Sequence, residues 1–517
     1  MNYADLFRMT LPETVLEVAA LLVLVVDLGF LRKAALKVRV AVAALLGVAG
    51  CGVALWAVLV QGNGGLSFQD SHELLLTTGG FTAVAQAGIL VLTALTLLLL
   101  IDEDFTRHVG EFVAVVLMAA AGGLLIAGAQ DLLVIFVGLE LLSLGLYILT
   151  AFAKSSGKSA EAAMKYYLFG GMSAAFLLFG FSYLYGITGS TNLHRILLGV
   201  YGWNAFYAAP LLYVAIVMIA AELGFKVAAV PFHLWAPDTY EGAPAPAAAF
   251  IASVSKVASF ALLIAIGTAS GHVFDGAHGV VRLVASVQGH TAPQPTYLGF
   301  QIPWSLVLIV LSAASMVVGN LAALAQTSVR RLLAYSAIAH SGYILLGLAF
   351  FSYGPRSAGA VLYYVLTYGL TTVGAFGVVA VVERATGSDR MDAFLGLHKR
   401  NPVLAAVLLV LFLSLAGIPP LVGFWAKFNL FATVLGVYPV GAGLGLVALA
   451  VAFSAVSLYY YLQVLKRAYV MPAIDETPIK AHPVTLAVLV LIAAAVVVLG
   501  CFPALLQGWI ESFYPVM

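Results

Sequence analysis

Long apolar runs separated by short polar connections dominate the chain. Fourteen of them approach or exceed the roughly 20 residues that a helix needs to cross the hydrocarbon core of a bilayer. They cover 11–31, 38–60, 79–101, 111–129, 132–153, 160–186, 207–236, 246–270, 303–325, 332–351, 358–382, 402–435, 440–465 and 483–510. The strict alternation of a membrane β-barrel is absent, and the runs are too long for barrel strands. The pattern predicts an all-α polytopic membrane protein of about fourteen transmembrane helices. The first run carries Glu13, Glu17 and Asp27 and is preceded only by Arg8, so it reads as a helix rather than a cleaved signal, with its three carboxylates expected to face a partner subunit or a helix end.

The 24 lysines and arginines give these helices a direction. With the N-terminus outside, the connections on the inner side hold sixteen of them: Arg32, Lys33, Lys37, Arg39, Arg107, Lys154, Lys158, Arg330, Arg331, Arg384, Arg390, Lys399, Arg400, Lys466, Arg467 and Lys480. The outer connections hold Arg8, Arg195, Arg282 and Arg356. This asymmetry predicts an even number of spans with both termini extracytoplasmic in a bacterial inner membrane. The longest connection, 271–302, is read as an exposed extracytoplasmic loop, with His272, His278 and His290 too scattered to favour a metal site.

Composition agrees. Of 517 residues, 63% are apolar and 9% charged, against about a quarter charged in soluble domains. With a net charge of +1, this excludes a soluble enzyme, a disordered scaffold and a nucleic-acid binder. Cys51 and Cys501 lie far apart in apolar runs, and no CxxC, HExxH or Gly-rich phosphate loop occurs. The chain is therefore expected to hold no cofactor or metal of its own.

Chemistry is sought in the ionisable groups inside the spans, where each is expensive and so a functional candidate. Glu140 lies centrally in the fifth span, Lys226 and Glu222 one turn apart in the seventh, Lys256 in the eighth and Lys427 in the twelfth. Lys165, His233 and His340 are weaker candidates, Lys165 being near enough to an end to snorkel. Tyr459, Tyr460 and Tyr461 read as interfacial anchors. Two spans are interrupted. Pro231 leaves the carbonyl of Val227 without its helical donor, and Pro419 with Pro420 frees those of Leu415 and Ala416. Carbonyls freed in hydrocarbon must be satisfied by protein or water, so a lysine beside a broken helix marks a hydrated site at mid-depth. An amine taken out of water loses hydration of its charged form, which brings proton exchange toward neutral pH. Glu140, Lys226, Lys256 and Lys427 are thus read as a proton relay. Glu140 is expected to face Lys226, and His340, Ser341 and Ser255 are expected to lend polar stations.

Counting supports a duplication. The seventh span is fourth in the set four to eight, and the twelfth is fourth in the set nine to thirteen; both are proline-broken and carry a lysine. Sets of five helices in series must run in opposite directions, as in inverted-repeat transporters. The predicted units are 1–105 (three helices), 106–270 (first repeat), the 271–302 loop, 303–470 (second repeat) and 471–517 (last helix). The lysine precedes the proline in one repeat and follows it in the other.

These stretches resemble the antiporter-like membrane subunits of respiratory complex I, NADH-quinone oxidoreductase, and the subunit N family most closely. The resemblance rests on GLELLSLGLYILTAF (138–152), EAAMKYYLFGGMSAAFLLFGFSYLYGITGSTNL (161–193), FKVAAVPFHLWAPDTYEGAPAPAAAF (225–250), RRLLAYSAIAHSGY (330–343) and LAGIPPLVGFWAKFNLF (415–431). It implies a proton-translocating module whose central axis is Glu140, Lys226, Lys256 and Lys427. A lysine at position 427 favours N over M, and an end after the fourteenth span disfavours L with its lateral helix. It also implies partners: a neighbouring antiporter-like subunit, small membrane subunits and a peripheral arm, with FMN, iron–sulfur clusters and quinone held by those partners. Glu222 and the long 271–302 loop depart from the family pattern. A cation/proton antiporter subunit of the Mrp type is the alternative, disfavoured because a lysine axis repels cations.

Overall fold

The computed structural model describes residues 7–63, 75–201, 209–267, 301–350, 355–436, 440–473 and 475–513. The 271–302 loop, with its three histidines, lies outside the described residues but for its last two positions, which begin a helix at Gln301. Among the described residues twelve helices are long and apolar enough to cross a membrane, and Pro402–Ala416 and Val422–Leu435 are shorter apolar helices. Those two form one broken span, and Leu11–Val25 is continued by a π-turn, Val26–Phe30. Fourteen crossings result. Among the described residues there are only isolated β-bridges.

The seventh span is longer than its apolar run. It comprises Ala209–Val227, a seven-residue break, and a second half, Trp235–Gly242. Asp238 and Glu241, which the hydropathy pattern leaves in a connection, therefore belong to a short half-helix. Trp235 stacks on Tyr166 of the sixth span, Gly157–Thr188, with ring centroids 4.3 Å apart. Gly242 lets that half-helix approach the sixth span closely, since a Cβ there would lie 2.6 Å from the Lys158 carbonyl.

The charges of the first helix correct an expectation. They were placed at an end or against a partner, yet Asp27 is buried within the chain, where Arg39 grips it by two bonds of 2.7 and 2.6 Å. Its second oxygen also accepts from the Gly110 amide. Glu13 is likewise buried and accepts from Gln86; only Glu17 faces outward.

Two five-helix units are related residue by residue. The fourth and fifth spans, Val109–Gly128 and Leu132–Thr150, pack backbone to backbone through Gly122 and Gly145. The ninth and tenth, Gln301–Leu324 and Val329–Ala349, do so through Gly319 and Gly342. Small residues permit such approach where lipid supplies no hydrophobic drive between helices. Asp131 forms a β-bridge with Asn192, and Ser328 forms the corresponding one with Arg390. The turns leading there repeat as well. Thr188-Gly189-Ser190 and Thr386-Gly387-Ser388 both close a helix on a left-handed glycine, φ +69° and +70°. In each the threonine hydroxyl accepts the following serine amide.

Candidate functional site

The two breaks carry matching irregularities. Ala228 and Gly417 have positive φ, 58° and 87°, a conformation that costs an L-residue about 1–2 kcal/mol. Position 417 has a second need for glycine, because a Cβ there would lie 3.0 Å from Lys427 Cδ and 3.2 Å from its Nζ. The freed carbonyls are all satisfied by protein. Val227 O accepts from Ser341 Oγ at 2.6 Å. Leu415 O and Ala416 O accept from Lys427 Nζ at 3.2 and 2.9 Å.

This accounts for the apparent mismatch between the repeats. Two positions before Ala228 stands Lys226; two before Gly417 stands Leu415. Lys427 reaches back across the break to the carbonyl of that equivalent residue. An amine from either side of a proline thus arrives at a corresponding place. Ten positions after Ala228, where the first repeat would carry the counterpart of Lys427, stands Asp238.

Lys226, Lys256 and Lys427 are buried, with 3%, 2% and 6% of their surface exposed. Each ammonium lies over an aromatic ring, 5.4 Å from Phe225, 5.4 Å from Tyr368 and 5.3 Å from Tyr343 respectively, which offsets part of the lost hydration. Lys226 donates to Ser143 Oγ. The carboxylate touching Lys226 is Glu222, 3.2 Å away and fully buried. Glu140, expected opposite that lysine, is half-buried on the stripe that also exposes Leu133, Val137, Leu144 and Ile148. It lies within electrostatic reach of Lys226 and Glu222 without contacting either.

Lys256 follows a π-turn, Ile251–Ser255, that interrupts the eighth span; such turns concentrate at functional sites. Its Nζ donates to Ala337 O at 2.5 Å and to Ser341 Oγ at 2.6 Å. Ser341 therefore joins Lys256 to the backbone beside Lys226. His340 is buried in the tenth span, bonded to Tyr364 OH at 2.9 Å and approached by Tyr461 OH at 3.5 Å. It stands twelve residues after Ser328, as Ser143 stands twelve after Asp131, so the repeats put polar groups at one position. A cavity of about 10 Å³, room for about one water, is lined by His340, Tyr364, Tyr368, Ser414 and Leu415. It connects the histidine to the carbonyl held by Lys427, and Lys427 also donates to Ser454 Oγ at 2.8 Å.

Lys165 and His233 are not brought to this line. Lys165 pairs with Glu161 and Asp238, both at 2.7 Å. His233 lies half-buried in the first break, beside the exposed Pro231 and Leu234. The tyrosine run is a further correction. Only Tyr459 faces outward; Tyr460 and Tyr461 are buried, on Asn320 and on Ser336 with His340. Three successive helical residues point about 100° apart, so a signal against a shared lipid-facing role was present. Ser143, Ser454, Tyr364 and Tyr368 were missed because a serine or tyrosine in an apolar run carries no mark of its neighbours. Among the described residues no group of three His, Cys, Asp or Glu is placed to hold a metal.

A helical membrane bundle of two inverted repeats, with lysines at broken helices, defines the class. The chain belongs to the NADH:quinone oxidoreductase/Mrp antiporter transmembrane family, whose model matches it twice, over residues 129–289 and 281–454. A relative from Acidobacterium capsulatum, NADH-quinone oxidoreductase subunit N 2, is 47% identical over 521 residues, covering 99% of each chain. Subunit N 1 of Roseiflexus castenholzii is 41% identical over 84% of this chain and 79% of that one. Among solved structures, a chain of respiratory complex I from Thermus thermophilus superposes with a TM-score of 0.74 at 32% identity, covering 96% of this chain and 98% of that one. A chain of the Mrp complex from Dietzia sp. shares the fold, with a TM-score of 0.77 at 21% identity over 98% of both.

Proposed function

We propose that this chain is a proton-translocating membrane subunit of an NADH-quinone oxidoreductase. It moves protons through a buried relay while the electrons travel in other subunits. The observation that carries the reading is the line of three buried lysines seated at or beside helix irregularities, with Ser143 on Lys226, Ser341 between Lys256 and the Val227 carbonyl, and His340 sharing a water-sized cavity with Leu415, whose carbonyl Lys427 holds. A lysine exchanges a proton without a metal, and a hydroxyl that accepts from one amine and donates to a carbonyl can reorient to pass it on. The contact of Glu222 with Lys226 holds that amine charged. Movement that weakens the pair releases the proton toward Ser143. Glu140, on the outward stripe of the fifth span, is the point where charge in a neighbouring subunit acts on the pair. The small cavity at His340 carries the proton between Lys256 and Lys427, and Ser454 stands at the far end.

In this reading the lysine- and arginine-rich ends face the cytoplasm of a bacterium and both termini face outward. FMN, iron–sulfur clusters and quinone belong to partner subunits. Against an Mrp-type antiporter stand the subunit N relatives and an axis built mostly of lysines, whose amines repel a metal cation when charged.

Purification of the tagged chain from native membranes tests the assignment. Co-purification with flavin and iron–sulfur absorption is expected; migration alone or with Mrp-type subunits overturns it. In inverted vesicles, Lys226→Ala should lower NADH-driven proton uptake per electron. Full uptake by an assembled mutant complex would refute the role given to Lys226.

A further inference from the structure

We infer that a polar cavity bounded by Glu103 is the port through which protons load onto the relay from the lysine- and arginine-rich side, with the Glu103 carboxyl as the accepting group. The inference rests on the relay reading above and adds an entrance to it.

The cavity encloses about 280 Å³. It opens between the connection after the third span, the connection before the sixth, the Gly242–Ala245 turn and the end of the eleventh span, Pro355–Thr386. Glu103 also lines a second, inner cavity of about 10 Å³, space for about one water. Glu103, Ala245, Ala380 and Arg384 line both. The inner one continues along small side chains of the eighth span to Ala249, facing Phe376 and Gly377. Thr485 lines it too; its hydroxyl is buried, and Oγ1 has no hydrogen-bond partner among the described residues. From Ala249 the same helix runs to Ser253, which donates to the Ala249 carbonyl at 2.6 Å, and to Lys256. Seven residues at helical rise span about 10 Å.

The charges around Glu103 leave it free to exchange. Its own connection supplies Asp102 and Asp104, the eleventh span Glu383 and Arg384, and the connection beyond it Asp389. The tenth span supplies Arg330, the half-helix Glu241, and the start of the sixth span Lys158. The cations have other partners: Arg384 holds Asp102 at 2.6 Å, Arg330 holds Glu383 at 2.6 Å, and Lys158 holds Glu241 at 3.2 Å. Among the described residues Glu103 has no ion pair. Burial raises its carboxyl to about 7 against the pull of Arg384 and Arg330, while Glu383 and Asp102 push the same way as burial.

The test compares the assembled complex with wild-type chain, Glu103→Gln and Lys256→Ala, following NADH-driven proton uptake per electron in inverted vesicles from pH 6 to 8. With the collecting carboxyl gone, loading depends on free hydronium, which falls tenfold per unit. Glu103→Gln should match wild type near pH 6 and lose at least about threefold by pH 8, and Glu103→Asp should restore the profile. A purely structural role would lower uptake equally at all pH values. A Glu103→Gln profile parallel to wild type, while Lys256→Ala abolishes uptake, overturns the port and leaves the relay standing. Full uptake by Lys256→Ala overturns the relay itself. Should Glu103→Gln fail to assemble, Thr485→Val, which removes the inner hydroxyl at constant shape, carries the test: the same alkaline loss supports the port, and a wild-type profile refutes it.

Discussion

Replacing Ser341 by alanine removes one hydroxyl at the junction of the two repeats. In the native protein that oxygen accepts from Lys256 at 2.6 Å and donates to Val227 O at 2.6 Å. Pro231 has already taken the helical donor of Val227, so in the mutant this buried carbonyl has no partner. Lys256 keeps Ala337 O and the face of Tyr368 but loses one of its two hydrogen bonds. An unmade buried hydrogen bond costs about 1–3 kcal/mol, so two such losses amount to about 2–6 kcal/mol. If Ser341 lies on the proton path, a similar penalty enters the transfer barrier, where about 1.4 kcal/mol is a factor of ten. The expected result is proton uptake in inverted vesicles at least about tenfold slower. NADH oxidation by an artificial acceptor, which reports assembly of the peripheral arm, should stay near wild type. An assembled Ser341→Ala complex that pumps at the native rate and yield would refute the junction.

Two further outcomes follow from the geometry. Gly417→Ala forces a side chain into φ +87° against the Lys427 amine, so it should destabilise by about 2 kcal/mol or more and depress proton uptake with it; native stability and uptake together would contradict this account of the break. Arg39→Ala leaves the buried Asp27 with only the Gly110 amide, at a cost of about 3–5 kcal/mol. It should lower the melting temperature and yield of the complex while surviving complexes pump normally, and a pumping defect at full yield would move Asp27 from scaffold to machinery.

Much of the architecture was legible in the chain because a bilayer imposes a length on every span and a toll on every charge. Hydropathy alone located the crossings, and the interruptions at Pro231 and Pro419-Pro420 pointed to both breaks, since proline removes a donor wherever it stands. The lysines stood out for the same reason: burial of an amine in hydrocarbon is too costly to be incidental.

What the sequence could not assign was partnership. Glu140 and Glu222 are both conspicuous carboxylates in the text of the chain, and four-residue spacing already sets Glu222 beside Lys226; that Glu140 turns outward instead of meeting the lysine is decided by the rotation of the fifth span. Ser143, Ser454 and Tyr364 are ordinary residues until the spans converge on them. Nor does residue order reveal that Lys427 bends back over its break to the carbonyl of Leu415, matching from the far side of the prolines the position that Lys226 occupies. Hydrophobic pattern is a one-dimensional property fixed by the solvent around each helix. Which side chain meets which is decided by the rotation, depth and packing of the helices about one another, and those exist only in the folded bundle.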